Sequence, residues 1–355
     1  IVNRSQVNDG NGLQVDTGKN IILLGGNINF DGGKIFAPGG IVSLGGLTAA
    51  GIININNDGS LNFPEGIARG DVSLTNSAEV SVLSSGGGSI FVNAKNLDLT
   101  SGSNFSAGIG EDLGSVNAQA GDIIIDATES VTLKETSPVS PSISVIRNIV
   151  ESGAVGNAGD INITTTNLAL TNGSIISTTT FGEGNTGNIN INATELVALD
   201  EINSRLQRAS GIYIQQTDAV GNEGELNIVT SNLALTNGGV ISASTLAQGD
   251  GGRIEINAAN SVTLDGSITD TTFRSAIENR VEMGAVGNAG EININTANLD
   301  LTNGSVISAS TLAQGDGGRI DINATESVSF DGNITAIFNL VGADAVGTGG
   351  EINIT

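Results

Sequence analysis

The chain contains no cysteine, no histidine and no tryptophan, and only one tyrosine, one methionine and 4 prolines in 355 residues. Without cysteine there is no disulfide, no thiolate nucleophile and no Cys-based zinc site. Without histidine the usual general base at neutral pH is missing, a Ser-His-Asp centre is impossible, and no G-x-S-x-G elbow appears. Basic residues are scarce, 13 against 37 acidic ones, giving a formal charge of -24. Such a chain repels nucleic acid and anionic membrane, so neither is an expected partner; the same charge also keeps a long surface soluble. No stretch approaches the roughly 18 consecutive apolar residues that span a bilayer, so no membrane insertion is expected. No basic-then-apolar leader follows Ile1, and the closing GEINIT at 350–355 reads as the start of another repeat. Any export signal is therefore expected to have been removed or to lie outside this stretch, which reads as a piece of a longer protein.

What is abundant is glycine, 51 residues, in a sequence that is 38% hydrophobic. With no G-X-Y period this is not collagen, and it is too apolar for simple disorder. The glycines punctuate a repeated phrase: a glycine, a polar residue, Ile-x-Ile, a second apolar pair, a turn and a third apolar pair. Clear copies are GDINITTTNLALTNGSIIS from Gly159, GELNIVTSNLALTNGGVIS from Gly224 and GEININTANLDLTNGSVIS from Gly290. Opening glycines fall at 88, 121, 159, 187, 224, 252, 290, 318 and 350. Two kinds of unit alternate. In the plain kind the second pair starts nine residues after the glycine (Gly159 to Leu168), and in the longer kind ten (Gly187 to Val197).

Strand side chains reverse direction at every residue, so Ile-x-Ile and Leu-x-Leu each put one face inward. No amphipathic run recurs at helical spacing, which argues against leucine-rich or ankyrin arrays. The expected fold is all-β: a single right-handed parallel β-helix of three strands per coil and about twelve coils, with loop insertions along one edge. At the strand spacing this is a rod on the order of 55 to 60 Å long. Residues 1–87, with short apolar clusters between Gly-rich turns, are expected to form about four coils at roughly 20 residues each. Residues 88–355 carry the regular alternating units. Thr-Asn-Gly at 171–173, 236–238 and 302–304 supplies positive-φ turns. Its asparagines recur only at every second coil and so cannot form a continuous ladder among themselves.

The extra length of the longer units is placed at 134–153, 200–210, 267–284 and 333–344, after the second strand. A fixed register stacks these insertions into a ridge. The candidate interaction residues on it are Arg147, Arg205, Arg208, Phe273, Arg274, Arg280 and Phe338. Per-repeat insertions on one face of a solenoid often carry binding. The plainer expectation is that they fold down over a strand face with their arginines paired to acids. TTFRSAIENRVEM at 271–283 has the composition of a short helix.

Asp160, Glu225 and Glu291 share one repeat position, which suits solvated strand edges rather than a single glycosidase centre. GDGGR occurs at 249–253 and 315–319, but the nonapeptide calcium pattern and an EF-hand loop are absent, so Asp250 and Asp316 are read as turn residues. No catalytic residue, cofactor or metal site is expected.

The block GSLNFPEGIARGDVSLTNSAEVSVLSSGGGSIFVNAKNLDLTSGS at 59–103, followed by AGDI and NLALTNGSIIS repeats, resembles the filamentous-haemagglutinin-like exoproteins of two-partner secretion, especially cyanobacterial ones. The resemblance implies right-handed β-helical fibres, passed from the periplasm through a dedicated outer-membrane barrel to the surface of a Gram-negative cell, where they act as adhesins or surface structures. The Asn-Pro-Asn-Gly-Ile type motif of their secretion domain is absent, which places this stretch in the shaft. The expected role is a non-enzymatic structural or adhesive fibre segment, secreted or on the cell surface, with glycan, cell-surface or homotypic contacts. A self-assembling sheath or lattice and a polysaccharide-binding or polysaccharide-cleaving β-helix are the alternatives.

Overall fold

The computed structural model describes all residues except 7–9, 11, 65, 137–140, 218–219 and 267–272. The chain winds into a parallel β-helix, and among the described residues there is no helix. One 14-stranded and one 11-stranded sheet run along its whole length. Ten complete coils are flanked by a part coil at each end.

Each coil has three arms, but the first two are one continuous strand. Ile161–Thr171 carries both Ile-x-Ile and Leu-x-Leu, and Glu225–Thr236 does the same. Between the halves the register slips: Thr165 faces Ala193 and Asn167 faces Leu196. The longer unit thus spends its extra residue as a bulge at the bend, which is why its second pair begins one position later. The third arm is short, as in Ile175–Thr180, and belongs to the 11-stranded sheet.

Inward side chains stack in unbroken columns. Ile161, Ile189, Leu226, Ile254, Ile292 and Ile320 are aligned from coil to coil on the first arm and are fully buried. Leu168, Val197, Leu233, Val262 and Leu299 do the same on the second. Burying such a side chain stabilises by roughly 1.5–3 kcal/mol, and each coil obtains that burial only from its neighbours.

The opening glycines also stack. A Cβ on Gly159, Gly187, Gly252, Gly290 or Gly318 would collide with the carbonyl of the opening glycine one coil earlier. Only the absence of a side chain lets the coils close to strand spacing at this corner.

Two expectations need correction. Residues 1–87 hold two complete coils and one part coil rather than four, because the chain from 47 to 70 leaves the body. There Asn54–Ile55 pairs antiparallel with Leu61–Asn62, leaving Ile52 79% exposed. The excursion is pinned by Arg69, which sits 5.3 Å over the Phe63 ring and binds Asp126 at 2.7 Å. The second correction concerns 271–283. Its first two residues lie outside the described set, and the rest is no helix: Ala276–Glu278 is a third-arm strand paired on both sides. The stacked neighbours supply backbone partners there, and Ile277 fills the core.

Candidate functional site

The insertions are narrower than the sequence suggested. The ranges 134–153, 267–284 and 333–344 each contain a third-arm strand, Val145–Val150, Ala276–Glu278 or Ala336–Phe338. What remains between second and third arm is 135–144, 201–210, 266–275 and the four residues 332–335. The second of these folds as an antiparallel pair, Ile202–Asn203 with Arg208–Ala209.

Arg147 and Phe338 therefore stand on the third-arm sheet itself, and Arg280 follows its strand directly, while Arg205, Arg208, Phe273 and Arg274 belong to insertions. Six of these seven line two adjoining grooves on the outer face of the 11-stranded sheet. One, of about 520 Å³, is bordered by Arg208, Phe273, Arg274, Arg280 and Phe338. The other, of about 430 Å³, is bordered by Arg147 and again by Arg208. Arg205 borders neither.

The floor of these grooves follows a rule. The register runs Ser106, Arg147, Ser177, Tyr213, Ser242, Glu278, Ser308, Phe338, one residue per coil. The preceding residues Ile146, Ile176, Ile212, Ile241, Ile277 and Ile307 are fully buried, and Ile337 in the last of these coils is partly so, which points this column outward. Plain coils contribute serine and longer coils a large side chain. Large residues therefore recur about 9.6 Å apart, with a shallow serine step between them. Ser177, Ser242 and Ser308 are buried between their bulky neighbours.

The electrostatics are uneven along the column. Arg147 donates to Ser106 Oγ at 2.9 Å and lies 3.8 Å from Glu151. Arg280 pairs with Glu278 at 2.8 Å and Glu282 at 2.9 Å. Burial pushes the Glu278 carboxyl up and the Glu282 charge adds to it, while Arg280 and, from farther off, Arg274 oppose that shift. Arg208 lies 6.0 Å over the Tyr213 ring, whose hydroxyl donates to the Ala209 carbonyl at 3.5 Å. Burial pushes the Tyr213 phenol above its ordinary value. Arg205, Arg208 and Arg274 have no carboxylate at ion-pair distance among the described residues.

The expected folding-down of the insertions holds for part of the set. Ile146 and Ile277 are core residues and Arg147 and Arg280 are paired, but Leu340 is 42% exposed and, among the described residues, Arg208 and Arg274 have no acid at ion-pair distance. Tyr213 and Glu278 were missed in the sequence. Their signal lies in the third apolar pair, where IIS, VIS and VIS of the plain units align with VIR, GIY, AIE and AIF of the longer ones.

Asp250 and Asp316 lie at the corner between a third arm and the next first arm, and both accept backbone N–H groups from the next coil, Asn288 at 2.8 Å and Thr348 at 2.7 Å. Asp160 is used similarly by Asn188 at 2.8 Å. Among the described residues no group of three or more acidic side chains is gathered to hold a metal ion, and no helix is long and apolar enough to cross a membrane. Comparison with family models, with curated proteins and with solved structures finds no match for this chain.

Proposed function

We propose that the chain is a structural and adhesive segment of a secreted or surface-anchored fibre, non-enzymatic, whose third-arm face meets another surface. One observation carries this reading: arginines and aromatics drawn from four separate longer coils meet in one pair of grooves, while the charged groove on the first arm holds no aromatic and its Arg253 and Arg319 are paired to acids. The shaft is rigid because every coil is clamped to the next through backbone ladders, buried columns and stacked glycines, so the face stays aligned over many coils. Export through an outer-membrane barrel to the exterior of a Gram-negative cell follows from the sequence resemblance. The purified chain, tested for retention on cells and on immobilised polysaccharides, should lose retention when Phe273 and Phe338 are both changed to Ala. Retention unchanged by that pair removes the reading. Electron microscopy of the same sample separates it from a sheath or lattice protein, since ordered arrays would favour the lattice and isolated rods the adhesin.

A second reading has a specific observation behind it. Glu278, Arg280 and Glu282 form a carboxylate and arginine cluster at one level of the rod, with the Glu278 carboxyl raised by burial. A raised carboxyl beside a second carboxylate is the arrangement a polysaccharide-cleaving centre uses. Release of reducing ends from acidic polysaccharides, lost in Glu278→Gln, would establish it; no release leaves the fibre reading in place.

A further inference from the structure

The larger groove concentrates two scarce residue types. The chain has 9 Phe and 1 Tyr, and 13 basic residues in all. Tyr213, Phe273 and Phe338 line this one groove together with Arg208, Arg274 and Arg280. We propose that it binds a glycan chain bearing uronic acids, with Arg208 and Arg274 holding sugar carboxylates and Phe273 and Phe338 covering the apolar faces of the rings. The proposal rests on the reading of this face as a recognition surface and names its ligand.

In a molecule of net charge -24, an arginine without an acid is the exception. Arg4, Arg69, Arg147, Arg253, Arg280 and Arg319 each have a carboxylate within 4.0 Å. Arg208 and Arg274 do not, among the described residues, and both border the same groove. A guanidinium fork matches a carboxylate in bidentate geometry, and a ligand carboxylate supplies the missing counter-charge. The density of charge also selects. Arg280 is already engaged by Glu278 and Glu282, and Arg274 acts on Glu278 only from beyond ion-pair distance, so the groove presents two cations without a close partner beside two carboxyl groups already bound to a third. That balance accepts a polymer with one carboxylate per sugar and repels a densely sulfated one, whose like charges would face Glu278 and Glu282.

Shape agrees with charge. The Tyr213 ring lies beneath the Arg208 guanidinium at 6.0 Å, and its hydroxyl is tied to the Ala209 carbonyl. Tyr213 is thus a positioning residue: it holds Arg208 in place, and a guanidinium already held loses less freedom on binding. Along the floor, Tyr213, Glu278 and Phe338 recur at every second coil with Ser242 and Ser308 buried between them. A sugar chain laid along the rod axis meets a large side chain about every 9.6 Å, close to the repeat of a disaccharide in an extended glycan.

Affinity electrophoresis and calorimetry of the whole chain against polygalacturonate test this directly, with fully methyl-esterified polygalacturonate and dextran sulfate as comparison polymers. Binding to polygalacturonate should weaken about tenfold or more on methyl esterification. The same loss should follow Arg208→Gln with Arg274→Gln at an unchanged melting temperature, whereas Lys95→Gln on another arm leaves binding as it was. Equal binding of the esterified polymer, tighter binding of dextran sulfate, or full binding by the double variant each overturns the assignment. If no polymer binds while surface retention still depends on Phe273 and Phe338, the uronate assignment falls alone. If retention is also indifferent to those two residues, the recognition surface falls with it.

Discussion

Asn279 accepts a hydrogen bond from the backbone N–H of Gly290 at 2.9 Å, and its own amide donates to the carbonyl of Gly252. The two glycines open successive units, so one buried side chain ties consecutive coils at their tightest corner. Asn148 makes the same bridge between Gly121 and Gly159, at 2.8 and 3.1 Å, and Asn339 bridges Gly318 and Gly350. In the unit where Ile214 stands at this position, Thr186 Oγ1 accepts from Gly224 N–H at 2.7 Å and Glu223 accepts from Gly252 N–H at 3.1 Å.

Removing the bridge should be costly. Asn279→Ala leaves the buried Gly252 carbonyl and the half-buried Gly290 N–H without partners, a loss of about 2–6 kcal/mol at roughly 1–3 kcal/mol per orphaned group. Because coils contact only their neighbours, the damage should be local. Hydrogen exchange should show faster exchange at Gly290 and little change near Gly159. Uniform loss of protection along the rod would contradict the local account.

Gly290→Ala should also destabilise, by about 1–3 kcal/mol, since its Cβ meets the backbone carbonyl of Gly252, which cannot move aside as a side chain would. Gly26→Ala is the matched control, because nothing lies within 4 Å of its Cβ position. Denaturant midpoints of the two variants should differ clearly, and equal midpoints would show that the corner relaxes freely.

Glu223 gives a pH dependence. Burial pushes its carboxyl from the ordinary 4.5 up to about 8, against the hydrogen bonds from Gly252 and Gln216 that favour the charged form. The folded state then holds a proton that the unfolded chain has released. This contribution to stability is complete below pH 4.5, falls as pH rises toward about 8, and is flat above it. At about 1.4 kcal/mol per pH unit the loss across that window is at most about 5 kcal/mol, reduced by the solvent contact Glu223 keeps. In Glu223→Gln, stability should no longer decline over this range because of this group; a slope identical to the parent's would assign the titration elsewhere.

Asp316 separates hydrogen bonding from ion binding. Thr348 donates to its carboxylate through both N–H and Oγ1, at 2.7 and 2.9 Å, which holds the carboxyl below its ordinary value. Asp316→Asn keeps an acceptor oxygen and should leave exchange at Thr348 near the parent rate, while Asp316→Ala should speed it. Calcium should shift the melting temperature of neither variant relative to the parent. A calcium-dependent gain lost in Asp316→Asn would make the corner a cation site.

Much of the body was legible along the chain. The Ile-x-Ile and Leu-x-Leu pairs mark the first two arms, and the nine and ten residue spacings already contain the bulge, because strand periodicity and stacking register are both linear in sequence. The opening glycine was legible as punctuation. Its necessity was not, since the atom that excludes a Cβ belongs to a residue one coil away. The excursion at 47–70 reads as more of the same short strands. Ile52 and Ile55 look like core residues, and only the absence of a stacked partner puts them in solvent.

By itself, then, the sequence determined an all-β coil, its two alternating units and the arginines and aromatics worth watching. The tertiary structure alone decided that Arg208, Phe273, Arg274, Arg280 and Phe338 share one groove, and that Tyr213 and Glu278 stand in the same outward column as Phe338. The reason is geometric. Which residues meet on the third arm depends on how much chain each corner takes up before it, so the pairing of Ser177 with Tyr213, or Ser242 with Glu278, is set by insertions of differing length whose closure only the stacked coils impose.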